Sequence, residues 1–516
     1  MMKDSPTYRA LSNALFSMIS FGWPIIIAIF VTPYVVNSLG VKEYGVYLFI
    51  STLISLAGLL DVGIASALGK FIAEENGRRN ENEIKKIFSI GNSIFLLIGI
   101  LGSLGILSTI FIGKVFFAEK MIEYFKYIPA FIAAAGMFFL TSTMSLFSML
   151  PNALQRIDAG VKVGLSFFTT QQLVIVLIIA LGYGVNGIFF GLLGIYVIFH
   201  FWYAHMAKSI LPDSLKKALR VYSWDKEAVL KYYSFGIKVF VNNIANSSLT
   251  FLDKAIMPIF VGPANLSYYG IAGSISNKTP AVSNTFANVI FPMTASFEGV
   301  GDRERTKMLY IRSMRLITIL SVSITVTILS FPYKMLAYWI NEEVAIFATA
   351  TLIPLTWTNL ILSLTGPLTN FLVGMGRLRA LTTASVTAAI LNAIFLFLLL
   401  PHYGIYGAAL AYLFALTPYL FLFYWTEHNL LALNSRIKFY IIFVCKLFFT
   451  GYITYMLNQY VISPYIYNLT TVLVGSAISV LSYIFIYYIC GLFEKDDVRD
   501  LKLFARSVYT SIQKRF

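Results

Sequence analysis

Charge is scarce in this chain. Only 12% of its 516 residues are Asp, Glu, Lys or Arg, and 58% are hydrophobic. Soluble domains carry about 25% charged residues, so an ordinary soluble globular protein is excluded. Uncharged runs longer than 18 residues recur along the sequence, the pattern of an all-α integral membrane protein rather than a membrane barrel. Cysteine is nearly missing: Cys445 and Cys490 both lie in apolar runs, with no disulfide framework and no metal spacing. The four histidines are scattered and no G-x-x-x-x-G-K-[ST] occurs, so neither a metal site nor ATP hydrolysis is indicated. After a short basic start (Lys3, Arg9), Leu11 to Val41 runs on without a small-residue cleavage site. It reads as a retained helix, not a signal peptide.

What is present is a strong cationic bias, +15 at neutral pH. In a soluble protein this would suggest nucleic acid; here the basic residues lie between spans, where they set orientation and meet anionic lipid. About fourteen spans can be read, near 11–36, 43–69, 87–111, 127–150, 162–183, 187–207, 233–260, 266–297, 313–340, 344–374, 380–400, 404–426, 438–461 and 465–492. With the N-terminus cytoplasmic, thirty Lys and Arg fall in the termini and even-numbered loops, Arg315 among them. Five fall in odd-numbered loops, and Lys238, Lys254, Lys278 and Lys446 fall inside spans. The asymmetry places both ends inside.

The chain repeats itself. Tyr44-Gly45 opens the second span and Tyr269-Gly270 the eighth, each followed 33 residues later by an arginine cluster. Tyr183-Gly184-Val185-Asn186-Gly187 before span six matches Tyr403-Gly404-Ile405-Tyr406-Gly407 before span twelve. Two parallel six-helix lobes are implied, with a site expected between them. The expected organisation is a lobe over 1–210, a cytoplasmic linker over 211–232, a lobe over 233–430, two appended helices over 431–493 and an amphipathic tail over 494–516. Leu215 and Leu219 in the linker, and Val498, Leu501 and Phe504 in the tail, suit helices lying on an anionic leaflet.

Local residues now carry a resemblance. Leu39-Gly40-Val41-Lys42-Glu43-Tyr44-Gly45, Leu252-Asp253-Lys254, Tyr269-Gly270 and Gly374-Met375-Gly376-Arg377 resemble the polysaccharide-exporter branch of the multidrug/oligosaccharidyl-lipid/polysaccharide flippase superfamily. The resemblance implies a MATE-like fold and export of a polyprenyl-pyrophosphate-linked glycan, as in O-antigen flippases, from the inner to the outer leaflet by alternating access. It also implies a bacterial or archaeal cell membrane, with membrane lipids, a glycan polymerase and other assembly proteins as partners and no nucleic acid. A cation-coupled drug antiporter and a peptidoglycan-precursor flippase are the alternatives. Leu11 to Val41 contains no acid, whereas drug antiporters of this superfamily often carry a carboxylate in span one. A membrane glycan polymerase or ligase is disfavoured, because the longest outer loop, near Ile112 to Lys126, is only about fifteen residues with no obvious acid–base pair.

Charge at membrane depth costs roughly 2.5 to 3.5 kcal/mol per residue, so it faces a bundle interior or wet cavity and marks function. Lys278, beside Asn277 and Pro280 in span eight, is the leading partner for a pyrophosphate; a structural ion pair with Asp253 or Asp61 is the competing reading. Lys254, Asn242, Asn246 and Asn277 join it as substrate-binding candidates. Asp61 and Asp253 are candidates for coupling to H⁺ or Na⁺ or for counter-ions, and Lys238 and Lys446 are secondary. No resident cofactor or metal is expected. Tags in the Arg303–Arg315 loop and at the C-terminus are expected to be cytoplasmic, and a tag after Lys334 external. Labelling of the tail from outside intact cells would overturn the fourteen-span topology.

Overall fold

A computed structural model describes residues 6–116, 122–154, 156–287, 290–431 and 437–491. The expected tail over 494–516 lies outside them. The described residues are overwhelmingly helical: α1 Pro6–Ala57, α2 Leu59–Gly77, α3 Glu81–Phe116, α4 Ile128–Ala153, α5 Ile157–Ala180, α6 Gly184–Ile210, α7 Lys226–Val261, α8 Pro263–Ser276, α9 Lys278–Ala287 and α10 Ile290–Gly299. They continue as α11 Arg303–Ser330, α12 Pro332–Trp339, α13 Glu342–Gly374, α14 Leu378–Ala415, α15 Thr417–Trp425, α16 Ile437–Leu457 and α17 Leu469–Ile489. Helices satisfy their own backbone, which is why apolar segments without water adopt them.

Among the described residues, nine stretches are long and apolar enough to cross a membrane. Two of them join two expected spans. The 53-residue stretch Leu378–Leu430 covers spans eleven and twelve, and the division falls at Gly404 (φ 55°), inside α14. Gly40 (φ 77°) divides α1 in the same way. Both angles are disallowed for most L-residues, so glycine sets the corner. Gly184, the repeat partner of Gly404, is also left-handed (φ 59°). The sequence repeat thus has a backbone counterpart.

The chain forms two compact units. One runs through Gly270 and takes in Leu396–Ile405; the other comprises Ile271–Phe395 and continues from Tyr406. The division falls inside α8, and α7 packs on α2 within the first unit. In that unit α3 and α4 approach closely. A Cβ at Gly102 would lie 2.0 Å from the Phe138 ring, and Ser103 and Ser142 donate across the interface to Ala135 O (2.7 Å) and Phe95 O (2.8 Å). Small residues and polar bridges of this kind hold helices together where lipid is as apolar as leucine.

The linker departs from expectation. Leu215 and Leu219, expected on the leaflet, are each 3% exposed, because this segment packs on α3 instead. Asn92 of α3 donates through Nδ2 to both Leu219 O (2.9 Å) and Val221 O (3.0 Å). Ser89 and Ser223 share a hydroxyl bond of 2.8 Å, and Lys86 Nζ meets Asp225 Oδ2 at 2.6 Å. Asp225 also caps α7, accepting from the Glu227 and Ala228 N–H groups.

In the second unit, α16 and α17 are built onto α11. Ile319, Leu447, Tyr483 and Tyr487 form a buried cluster. Beyond it, Asn458 donates to Ser330 Oγ (2.8 Å) and Ser479 Oγ (2.7 Å), and Thr327 pairs with Ser479 at 2.7 Å. The Lys86 ammonium, then the Ala228 N–H, hold the Asp225 carboxyl below the usual range. A depressed carboxyl contributes above its unfolded pKa and loses that contribution as pH falls through the folded one. Linker docking, read as protease resistance near Tyr222, is therefore expected to hold at neutral pH and weaken in acid. Asp225→Asn should weaken it at neutral pH and flatten the acid dependence.

Candidate substrate-binding site

Span eight is not one helix. Pro280 has no N–H, and its ring crowds the carbonyl four residues back, that of Ser276. The helix accordingly stops at Ser276 and restarts at Lys278, leaving Asn277 between. The Asn277 N–H still donates to Gly273 O (2.9 Å), and Asn277 O accepts from the Ala281 N–H (3.3 Å). Exposure alternates around the break. Ser276, Thr279 and Ser283 are fully buried, whereas Asn277 and Asn284 are exposed and Lys278 is half-buried. Among the described residues Lys278 has neither an ion pair nor a hydrogen-bond partner.

Asp253 and Lys254 diverge, as a 100° step between neighbours on a helix requires. Asp253 is 1% exposed. It accepts from the Tyr269 hydroxyl and from the Lys254 N–H (2.8 Å). Lys254 is half-buried, its Nζ 5.8 Å from the centre of the Phe251 ring. Asn242, Asn246 and Lys238 lie on α7 and Asp61 on α2; their side chains fall outside the described residues. Lys446 is exposed on α16.

The second unit holds an apolar cavity of about 600 Å³ walled by α11, α13, α15 and α16, with Trp357, Leu447 and Phe448 in its lining. Tyr310, Arg315 and Glu427 also line it. The Tyr310 hydroxyl donates to Glu427 Oε1 at 3.3 Å. Arg315, counted with the loop cations by sequence, is 7% exposed within α11. Sequence reasoning also missed Tyr269 as the partner of Asp253, and Asn359, which donates to Ser276 Oγ (2.9 Å) at the end of α8. Each carried a signal: Tyr269 belongs to the repeated Tyr-Gly pair, and Asn359 is one of two amides, with Asn370, in an otherwise apolar span.

A family model described as a polysaccharide biosynthesis protein matches residues 10–298, more than half of the chain. The chain belongs to this family. A second model, MatE, matches residues 239–398, so the polysaccharide biosynthesis family here joins the multidrug/oligosaccharidyl-lipid/polysaccharide superfamily expected from the sequence motifs. The probable flippase AglR of Haloferax volcanii is 21% identical over 57% of this chain and 56% of its own length. An uncharacterized membrane protein of Methanocaldococcus jannaschii is 24% identical over 55% of this chain and 56% of its own. The chain thus matches somewhat over half the length of these curated relatives. Among solved structures, the lipid II flippase MurJ in an inward closed conformation superposes with TM-score 0.61 at 14% identity, covering 92% of this chain and 98% of that one. An inward-facing multidrug resistance MATE transporter gives 0.61 at 15% identity, over 83% and 99%. The fold of this polysaccharide biosynthesis family member is therefore MATE-like, and the protein is multi-pass.

A buried carboxylate deprived of a donor is costly, on the order of 1–3 kcal/mol. Tyr269→Phe is therefore expected to lower the melting temperature in detergent, and adding Asp253→Asn to recover part of the loss. Unchanged melting in Tyr269→Phe would show that the Asp253–Tyr269 bond contributes nothing.

Proposed function

We propose that this protein is a flippase for a polyprenyl-pyrophosphate-linked oligosaccharide, a repeat unit of an O-antigen, capsule or exopolysaccharide, carried from the inner to the outer leaflet by alternating access. One observation carries the reading. Lys278 is a cation at a proline-made break in a membrane span, half-buried and without an ion pair among the described residues. No described residue offsets the cost of holding an ammonium inside a span, whereas a pyrophosphate would supply a counter-charge through charge-assisted hydrogen bonds. Discontinuous helices near the bilayer midplane are where transporters hold charged substrates. Asn277, exposed beside Lys278, adds an amide for the glycan or phosphate, and Lys254, Asn242 and Asn246 remain candidates on α7.

The apolar cavity favours a lipid-anchored substrate over a soluble drug cation. An isoprenoid chain has only apolar surface to offer, and a cavity lined by Trp357, Leu447 and Phe448 matches it. With both oxygens of Asp253 accepting hydrogen bonds, Asp61 is the stronger candidate for H⁺ or Na⁺ coupling. The reading places the protein in the cell membrane with cytoplasmic termini, working beside membrane lipids and a glycan polymerase.

Complementation of surface glycan in a flippase-null strain, with membrane abundance measured alongside, tests the reading. Lys278→Arg should keep substantial export because it keeps the charge, and Lys278→Ala should lose export at normal abundance. Full export by Lys278→Ala at normal abundance would overturn the anion site and move it to Lys254.

A further inference from the structure

The back of the broken helix meets α11 and α13 through polar side chains, arranged as three rungs. Ser283 Oγ pairs with Ser321 Oγ of α11 at 2.7 Å, buried. Consecutive spans joined by the short turn before α11 run in opposite directions. Thr279, one turn before Ser283, is therefore level with Thr325, one turn after Ser321. Beyond them Asn359 of α13 donates through Nδ2 to Ser276 Oγ (2.9 Å), while also donating to Leu355 O (2.9 Å). The two end rungs are closed and the middle one is open: Thr279 Oγ1 and Thr325 Oγ1 are buried without a hydrogen-bond partner, and in the Asn359 rung the amide Oδ1 is left over as well.

The closed rungs stand on opposite sides of Lys278. Ser276 ends α8, before the break; Ser283 lies in α9, after it. The open rung stands at the level of the break itself. We infer that Asn359 and Ser321 are positioning residues for Lys278, clasping the broken helix above and below the break so that the ammonium is held on the opposite, accessible face. A proline break removes the backbone bond that would otherwise fix the second half-helix relative to the first. Side-chain clasps from neighbouring helices take over that task. Leu355 already occupies one proton of the Asn359 amide, so the amide is oriented before it meets Ser276.

This inference rests on Lys278 being the substrate's anion site, and its test uses no substrate, so the two fail separately. The full chain carrying Cys445→Ser and Cys490→Ser receives Lys278→Cys, and the introduced thiol is titrated with a sulfonate-bearing methanethiosulfonate. Tyr222→Cys in the exposed linker is the control. Asn359→Ala and Ser276→Ala should each change the modification rate at position 278 about fivefold, the ratio that one net hydrogen bond commands. Their combination should change it no further, and the rate at position 222 should stay constant. Ser276→Thr, which keeps the hydroxyl, should restore the parent rate, and Ser321→Ala should act on the same rate through the other clasp. Ser276→Ala removes a single oxygen, so it reports even if the asparagine variant folds poorly. A rate at position 278 unmoved by Ser276→Ala and Ser321→Ala would overturn the inference. So would additive effects of Asn359→Ala and Ser276→Ala.

Discussion

Every backbone polar group that enters the bilayer must find its partner within the protein, because hydrocarbon offers none. The rest of this structure follows from that constraint. It makes the described residues helical, and it confines interruptions to the few residues that can manage one. Gly40 and Gly404 turn corners with left-handed backbone that other residues adopt only at a cost. Pro280 interrupts span eight by withholding a donor, which leaves work for neighbouring side chains. Breaks and corners are thus specific positions with specific chemistry.

The same constraint governs side chains. Asp253 is almost wholly buried, and the Tyr269 hydroxyl and a backbone N–H take up its oxygens. The cost of burying this carboxyl is offset by those two donors together with the charge of the adjacent Lys254. In the linker the balance is different. The Lys86–Asp225 pair is open to solvent, and screening by water leaves such pairs little net contribution. Docking of the linker on α3 rests more on the buried Leu215 and Leu219 and on the Asn92 fork. Here an apolar face that looks ready for lipid is covered by protein.

The two C-terminal helices stand outside the internal repeat, yet they are not loosely attached. The Asn458, Ser330, Ser479 and Thr327 network and the tyrosine-rich cluster around Ile319 fasten them to α11. They are therefore a fixed wall, and α16 closes one side of the apolar cavity.

Composition and periodicity by themselves determined that this is a helical membrane protein, and they showed a repeat of short motifs along the chain. Those properties follow from hydropathy and from local backbone chemistry, both written residue by residue. They also marked Lys278 and Asp253 as costly, since a charge in an apolar run is visible without a fold. Pairing was another matter. That Tyr269 serves Asp253, that Asn359 reaches Ser276 and that Leu215 faces α3 depend on which helix faces meet, and packing geometry sets that. Arg315 shows the limit most plainly. Sequence placed it among loop cations, but α11 starts at Arg303 and carries it three turns into the fold, where it lines a cavity. Hydropathy reports how apolar a stretch is. Depth and partner are decided only when the helices pack.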